Sequence, residues 1–241
     1  SLSAIGPEAG KEAARALLHA TLNEKTRDEA VSVLRNALSD KNDASRLLVV
    51  ATLRDAAEKG ADVSLAIPAL GNALYDKNTE IRIAASAALK ISAKNGFHML
   101  SAIPMLEHAL SDWNEKVREN ASKALGYSVE NEKTSEMAID YLKNALSNKK
   151  KYARELAASA LKNTVWKEKT RAIGISAFAK ALHDENRDVR VFAAQAFSDF
   201  AEAGIDISDA HRDLAEGLGD RRNRLVQIHS ARALGFAADK G

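Results

Sequence analysis

Apolar residues along this chain gather at three- and four-residue steps, and short polar breaks separate the runs. Ile67, Leu70, Ala73 and Leu74 share one helical face. The break Tyr75-Asp76-Lys77-Asn78-Thr79 follows. Ile81, Ala85, Ala88 and Leu89 then mark the face of a second helix from about Glu80 to Ala93. The same helix–break–helix pattern recurs. It predicts first helices starting near Glu29, Leu65, Ala102, Met137 and Gly174, and second helices near Ala44, Glu80, Lys116, Tyr152 and Asp188. Asn and Asp in the breaks suit the free N–H groups at the start of each second helix.

The recurrence is strict. Arg46, Arg82, Arg118, Arg154 and Arg190 fall 36 residues apart, and Asp40, Asp76, Asp112, Asn148 and Asp184 stand six positions before them. Leu38, Leu74, Leu110, Leu146, Leu182 and Leu218 keep the same step. A fixed long period means one supersecondary unit copied in tandem. The expected fold is therefore all-α, an α-α superhelix of about six helical-hairpin repeats plus an N-terminal half repeat. The expected divisions are a half repeat 1–28 and repeats 29–64, 65–100, 101–136, 137–172, 173–208 and 209–241, forming a single array. Polar links join the units. One kind is Lys59 to Ser64; another is Asn23-Glu24-Lys25-Thr26, which returns as Asn131 to Thr134 and Lys167 to Thr170. Pro7 to Thr21 match only a second helix, the matching first helix being missing or reduced to Ser1–Ile5. The last unit has one extra residue near Arg222 and Gln227 in the arginine column. Divergent ends fit capping units, and fit equally a segment of a longer array.

A residue repeated in every unit serves the unit. Six residues apart, Asp and Arg cannot face each other on one helix, but they can across a turn. Each ladder arginine is expected to hydrogen-bond into the turn of its own or an adjacent unit, and the aspartates to act from the other side, partly as helix caps.

At this level the chain resembles the HEAT repeat family. The resemblance rests on a first-helix proline (Pro68, Pro104), an aspartate eight residues on (Asp76, Asp112) and an arginine six beyond (Arg82, Arg118). It runs from about Pro7 to Gly241. Only two units carry the proline, and His211 replaces the β-branched residue seen as Val31, Ile67, Ile103, Ile139 and Ile175. The run from Val189 to Ala194 is also similar to HEAT-like repeats of the bilin-lyase type. The resemblance implies a right-handed superhelix with second helices lining the concave side. It implies a scaffold for proteins and, in a minority of members, a protein that handles DNA or assists chromophore attachment.

Composition narrows the chemistry. There is no cysteine, which removes disulfides and thiolate chemistry. No histidine pair has the helical spacing of a zinc protease motif, and no phosphate loop or nucleophile elbow is present. No metal, no cofactor and no enzyme activity are expected. No apolar run is long enough to cross a membrane, and a cytoplasmic location is expected. The charge is nearly balanced, 35 basic against 33 acidic side chains, which argues against a dedicated nucleic-acid binder.

Second-helix positions opposite the apolar stripe are the candidate concave binding surface: Leu47, Arg54, Ile83, Lys90, Lys123, Lys162, Trp166 and Val191. Exposed apolar groups beside cations fit a protein or peptide groove; lysines on helices are equally an ordinary solvated face. Trp113 occupies a turn column otherwise filled by Lys41, Lys77, Lys149, Glu185 and Arg221. It either anchors a partner or covers the edge of the core. Trp166 is expected to pack. The expected function is a non-catalytic protein-binding scaffold or adaptor. The alternative is a nucleic-acid-binding protein resembling the alkylpurine DNA glycosylases, acting through a basic concave track. The turn reading makes one prediction: Arg118→Ala destabilises the array by about 1–3 kcal/mol. An unchanged melting temperature would remove that structural role.

Overall fold

The computed structural model describes residues 7–221 and 223–239. Ser1–Ile5 and Arg222, named above, lie outside the described residues. The chain divides into two compact units, one up to Tyr141 and one from Leu142. Among the described residues the secondary structure is entirely helical.

The first unit holds α1 (Pro7–Leu22), α2 (Arg27–Ala37), α3 (Asp43–Glu58), α4 (Ile67–Asn72), α5 (Thr79–Lys94), α6 (Ile103–Ala109) and α7 (Glu115–Glu130). The division falls inside α8 (Ser135–Ala145). The second unit continues with α9 (Lys151–Val165), α10 (Glu168–Leu182), α11 (Arg187–Glu202), α12 (His211–Leu218) and α13 (Arg224–Ala238). Second helices lie side by side: α1 on α3, α3 on α5 and α5 on α7 in the first unit, α9 on α11 and α11 on α13 in the second. First helices cover them, as α4 does α5, α6 does α7 and α12 does α13.

The cores are the apolar stripes read from the sequence. In successive second helices Leu53, Leu89, Leu125, Leu161 and Phe197 are all buried, as are Val49, Ala85, Ala121, Ala157 and Ala193. Polar members of the stripe stay dry by bonding back to their own helix. Ser92 Oγ donates to Ala88 O at 2.9 Å, Ser128 Oγ to Ala124 O at 2.9 Å and Thr164 Oγ1 to Leu161 O at 2.7 Å. Phe200 occupies the same column in α11. There Phe178, Phe197 and Phe200 form an aromatic cluster with centroids 5.4–6.2 Å apart.

Second helices begin within one residue of the expected places. Most are capped by an asparagine: Asn42, Asn78, Asn114 and Asn186, two residues after the ladder aspartate, and Asn223, three after Asp220, accept from backbone N–H groups at 2.8–3.3 Å. The aspartates expected as partial caps do something else. Asp40, Asp76, Asp112 and Asp184 accept the N–H of residue i+2 at 2.7–2.9 Å, an Asx turn that sets up the capping asparagine. Asn148 does the same for Lys150.

First helices follow the reading less closely. Pro68 and Pro104 sit in the first turns of α4 and α6, where a missing N–H costs nothing. The expected start at Gly174 is wrong: α10 starts at Glu168, six residues earlier. Gly174 instead marks a close approach. A Cβ there would collide with Thr164 Oγ1 and Val165 Cγ2 of α9.

Links end helices in two ways. Gly60, Gly96 and Gly204 take positive φ (83°, 78° and 81°), the left-handed turn that closes α3, α5 and α11. Where no such glycine occurs, a threonine clamps the preceding helix. Thr26, Thr134 and Thr170 donate through Oγ1 to the carbonyls of Ala20, Ser128 and Thr164 at 2.7–2.8 Å.

The N-terminus of α9 departs from this scheme. Lys150 has the capping backbone geometry (φ −85°, ψ 120°), matching Asn78 (φ −83°, ψ 119°), but makes no side-chain cap. Lys150→Asn is expected to raise stability by about 1 kcal/mol, measured by urea denaturation.

Candidate interaction surface

Arg46, Arg82, Arg154 and Arg190 are staples between repeats. Arg46 Nη1 donates to Asp40 O of its own turn at 2.8 Å, while Nε and Nη2 grip both oxygens of Asp76 in the next unit at 2.7 and 3.1 Å. Arg82 repeats this with Asp76 O at 3.0 Å and the Asp112 carboxylate at 2.8 and 3.3 Å. In the second unit Arg154 pairs with Asp184 at 3.0 Å and Arg190 with Asp220 at 3.0 Å, again while holding their own turn carbonyls. Arg118 holds Asp112 O and Trp113 O, both at 3.0 Å. The side chains of Arg46, Arg82, Arg154 and Arg190 are 6–13% exposed and their aspartates 10–15%, so water screens the pairs weakly. Asp220 was not singled out from the sequence, although it lies one 36-residue step beyond Asp184. The altered spacing after it hid the match.

With the ladder internal, the exposed faces remain for partners. Leu47, Ile83 and Val191 are half-buried on their second helices. Several of the cations are engaged with neighbours. Lys90 Nζ donates to Asn120 Oδ1 at 3.0 Å, Lys162 Nζ to Asp199 Oδ2 at 2.6 Å, and Arg54 pairs with Asp55 at 2.8 Å. Lys123 is exposed. Trp166 is half exposed and packs edge-on against Phe200, centroids 6.0 Å apart at 83°.

Trp113 is different. It stands in the turn before α7 at 87% exposure, far above the other large apolar side chains of the described residues. It does not seal the core. Its turn is held from behind by Arg118 and by Asn114, which caps α7. One repeat earlier, Tyr75 sits beside the equivalent position, 55% exposed and in contact with the His108 ring at 5.0 Å. Aromatic rings held on rigid turns are the residue type that anchors partners.

A family model described as HEAT repeats matches residues 67–162, and one described as non-SMC mitotic condensation complex subunit 1 matches residues 116–234. No curated protein matches the chain. The solved structures that resemble it include an archaeal HEAT-like repeats protein from Thermococcus onnurineus NA1, 13% identical, with a TM-score of 0.59 over 95% of this chain and 97% of that one. An engineered protein is 22% identical, with a TM-score of 0.56 over 98% of this chain and 66% of that one. A designed armadillo repeat protein, solved with the peptide (KR)4, is 18% identical, with a TM-score of 0.50 over 92% of this chain and 98% of that one. At these identities the likeness shows the fold, a helical-repeat solenoid.

The staples have a pH signature. Burial pushes the Asp76 carboxyl up, but hydrogen bonds from Arg46 and from Asn78 N–H, with the arginine's charge, outweigh it and hold the pKa below the usual value. A depressed folded-state pKa makes the unfolded chain bind more protons in acid. The stabilisation is complete above about pH 4 and is lost as the pH falls through the lowered pKa. Asp76→Asn should lower stability at neutral pH and flatten the acid limb of the stability–pH profile, followed by denaturant titration from neutral pH into acid.

Proposed function

We propose, from the match of residues 67–162 to a HEAT-repeat model and from the helical-repeat fold, that the chain is a non-catalytic protein-binding scaffold or adaptor. Trp113 carries the reading. An indole 87% exposed, on a turn whose carbonyl Arg118 holds, lies outside the core, and a partner that covers it would account for it. Repeat stacks of this kind present extended surfaces rather than one deep catalytic cleft. The exposed second-helix positions, with Lys123 and the half-buried Leu47, Ile83 and Val191, supply further contact area of mixed character.

The nucleic-acid alternative has less support. A phosphate track needs cations facing outward in a line. Lys90, Lys162 and Arg54 are instead engaged with Asn120, Asp199 and Asp55.

A photo-crosslinking residue placed at Trp113 should capture a partner protein from nuclease-treated lysate, identified by mass spectrometry. Binding of the purified partner, followed by calorimetry, should weaken by about tenfold or more in Trp113→Ala. Affinity unchanged in that variant, or capture abolished by nuclease, would overturn the reading.

A further inference from the structure

Two columns of the second helices are buried in every earlier unit and bare in α13. Val50, Ser86, Ser122, Ala158 and Ala194 form one, and Ala57, Ala93, Val129, Val165 and Ala201 the other. The turn before α13 is one residue longer, so their counterparts there are Ala231 and Ala238, and both are exposed. Ile228, the counterpart of the half-buried Val191, is 42% exposed. Leu218 of α12 is exposed too, although Leu74, Leu110, Leu146 and Leu182 of the same column are buried. With Leu225 and Gly235, these residues give α13 an apolar outer strip. Arg232 leans off it, over its own Phe236 ring at 5.9 Å.

A strip of this kind is not the surface of a capping helix, which turns polar groups to water. In the first unit α1 does so, exposing Glu8, Lys11, Glu12 and Arg15 in ion pairs of 2.8 and 2.6 Å. Nor is α13 equipped to fasten a following repeat as Arg190 fastens this one, because Gln227 stands in the arginine column.

The strip does complement itself. Set antiparallel to its own copy, α13 brings Ile228 of one helix level with Gly235 of the other. A Cβ at Gly235 would meet nothing within 4 Å, so the branched side chain has open space to enter. The same alignment brings Arg224, at the start of the helix, level with Asp239 at its end, opposite charges at both ends of the pair. A parallel pair would set isoleucine on isoleucine and arginine on arginine.

We propose that the outer face of α13 is a self-association surface, covered by a second copy of this chain with the two helices antiparallel about a twofold axis. At 15 residues α13 is about 22 Å long. A strip of that length buries about 900 Å² over both copies, which is small for a specific interface and makes the dimer weak. The proposal does not rest on the scaffold reading, whose anchor Trp113 lies in the first unit.

Sedimentation equilibrium of the full chain, from about 5 to about 500 μM, should show the mass rising from that of one chain towards that of two. Ile228→Glu should abolish the rise. Val33→Glu, at a comparably exposed apolar position in the first unit, should not. If Ile228→Glu fails to fold, Gly235→Glu gives the same readout. Arg224→Glu should weaken association by about tenfold, and adding Asp239→Arg should restore it. The chain has no cysteine, so disulfides can report the alignment. Seven residues, about 10 Å along the helix, separate position 228 from its own copy, too far for a disulfide. Ile228→Cys and Gly235→Cys chains should therefore oxidise to a linked dimer when mixed and not when alone. A single-chain mass at every concentration overturns the proposal and leaves the face to a different partner. So does association that survives Ile228→Glu or falls equally in Val33→Glu, and so does linkage of either cysteine variant alone as readily as the mixture.

Discussion

Everything in this molecule depends on a guanidinium that faces two ways. One nitrogen closes its own turn by taking a carbonyl at the end of the first helix. The others reach across to a carboxylate in the following unit. Helix ends leave carbonyls unsatisfied, and stacking repeats brings those ends close together. A single arginine answers both needs, and its planar fork fits a carboxylate bidentately. The pairs are dry enough that losing one partner would strand a charge. That explains the strict spacing: a shift of one residue would point the fork at solvent.

The second device is local. The ladder aspartate receives the arginine from the preceding unit and at the same time turns the backbone so that an asparagine two residues later caps the second helix. One short polar segment therefore ends one helix, starts the next and joins two repeats. The rest of each unit needs only to be apolar on the inner face. Alanine, serine, threonine, leucine and phenylalanine share those columns, the hydroxyls being returned to the helix backbone.

Much of this was legible beforehand. The 36-residue period, the second-helix starts and the buried stripe follow from periodicity alone. First-helix starts were harder, because a link and a first helical turn look alike in sequence. Lys167 to Thr170 matched two true links, and only packing reveals that α10 already begins there and that Gly174 is a contact point. The partner of each arginine was left between its own turn and the next, since sequence spacing cannot say which ends meet; for Arg46, Arg82, Arg154 and Arg190 the answer is both. Trp113 was conspicuous by its neighbours in the column, yet its exposure depends on how the turn is held.

The staple also has a direction. Arg46, Arg82, Arg154 and Arg190 each reach forward to an aspartate of the following repeat, so these four joints are interchangeable. A stretch of gene encoding one whole period, wherever it is cut, carries both halves of the bond. Duplication or loss of such a stretch would preserve every joint while changing the number of surfaces on display. A fastening of this kind lets the number of repeats change while the joint stays the same, and leaves outward positions such as Trp113 outside the bond.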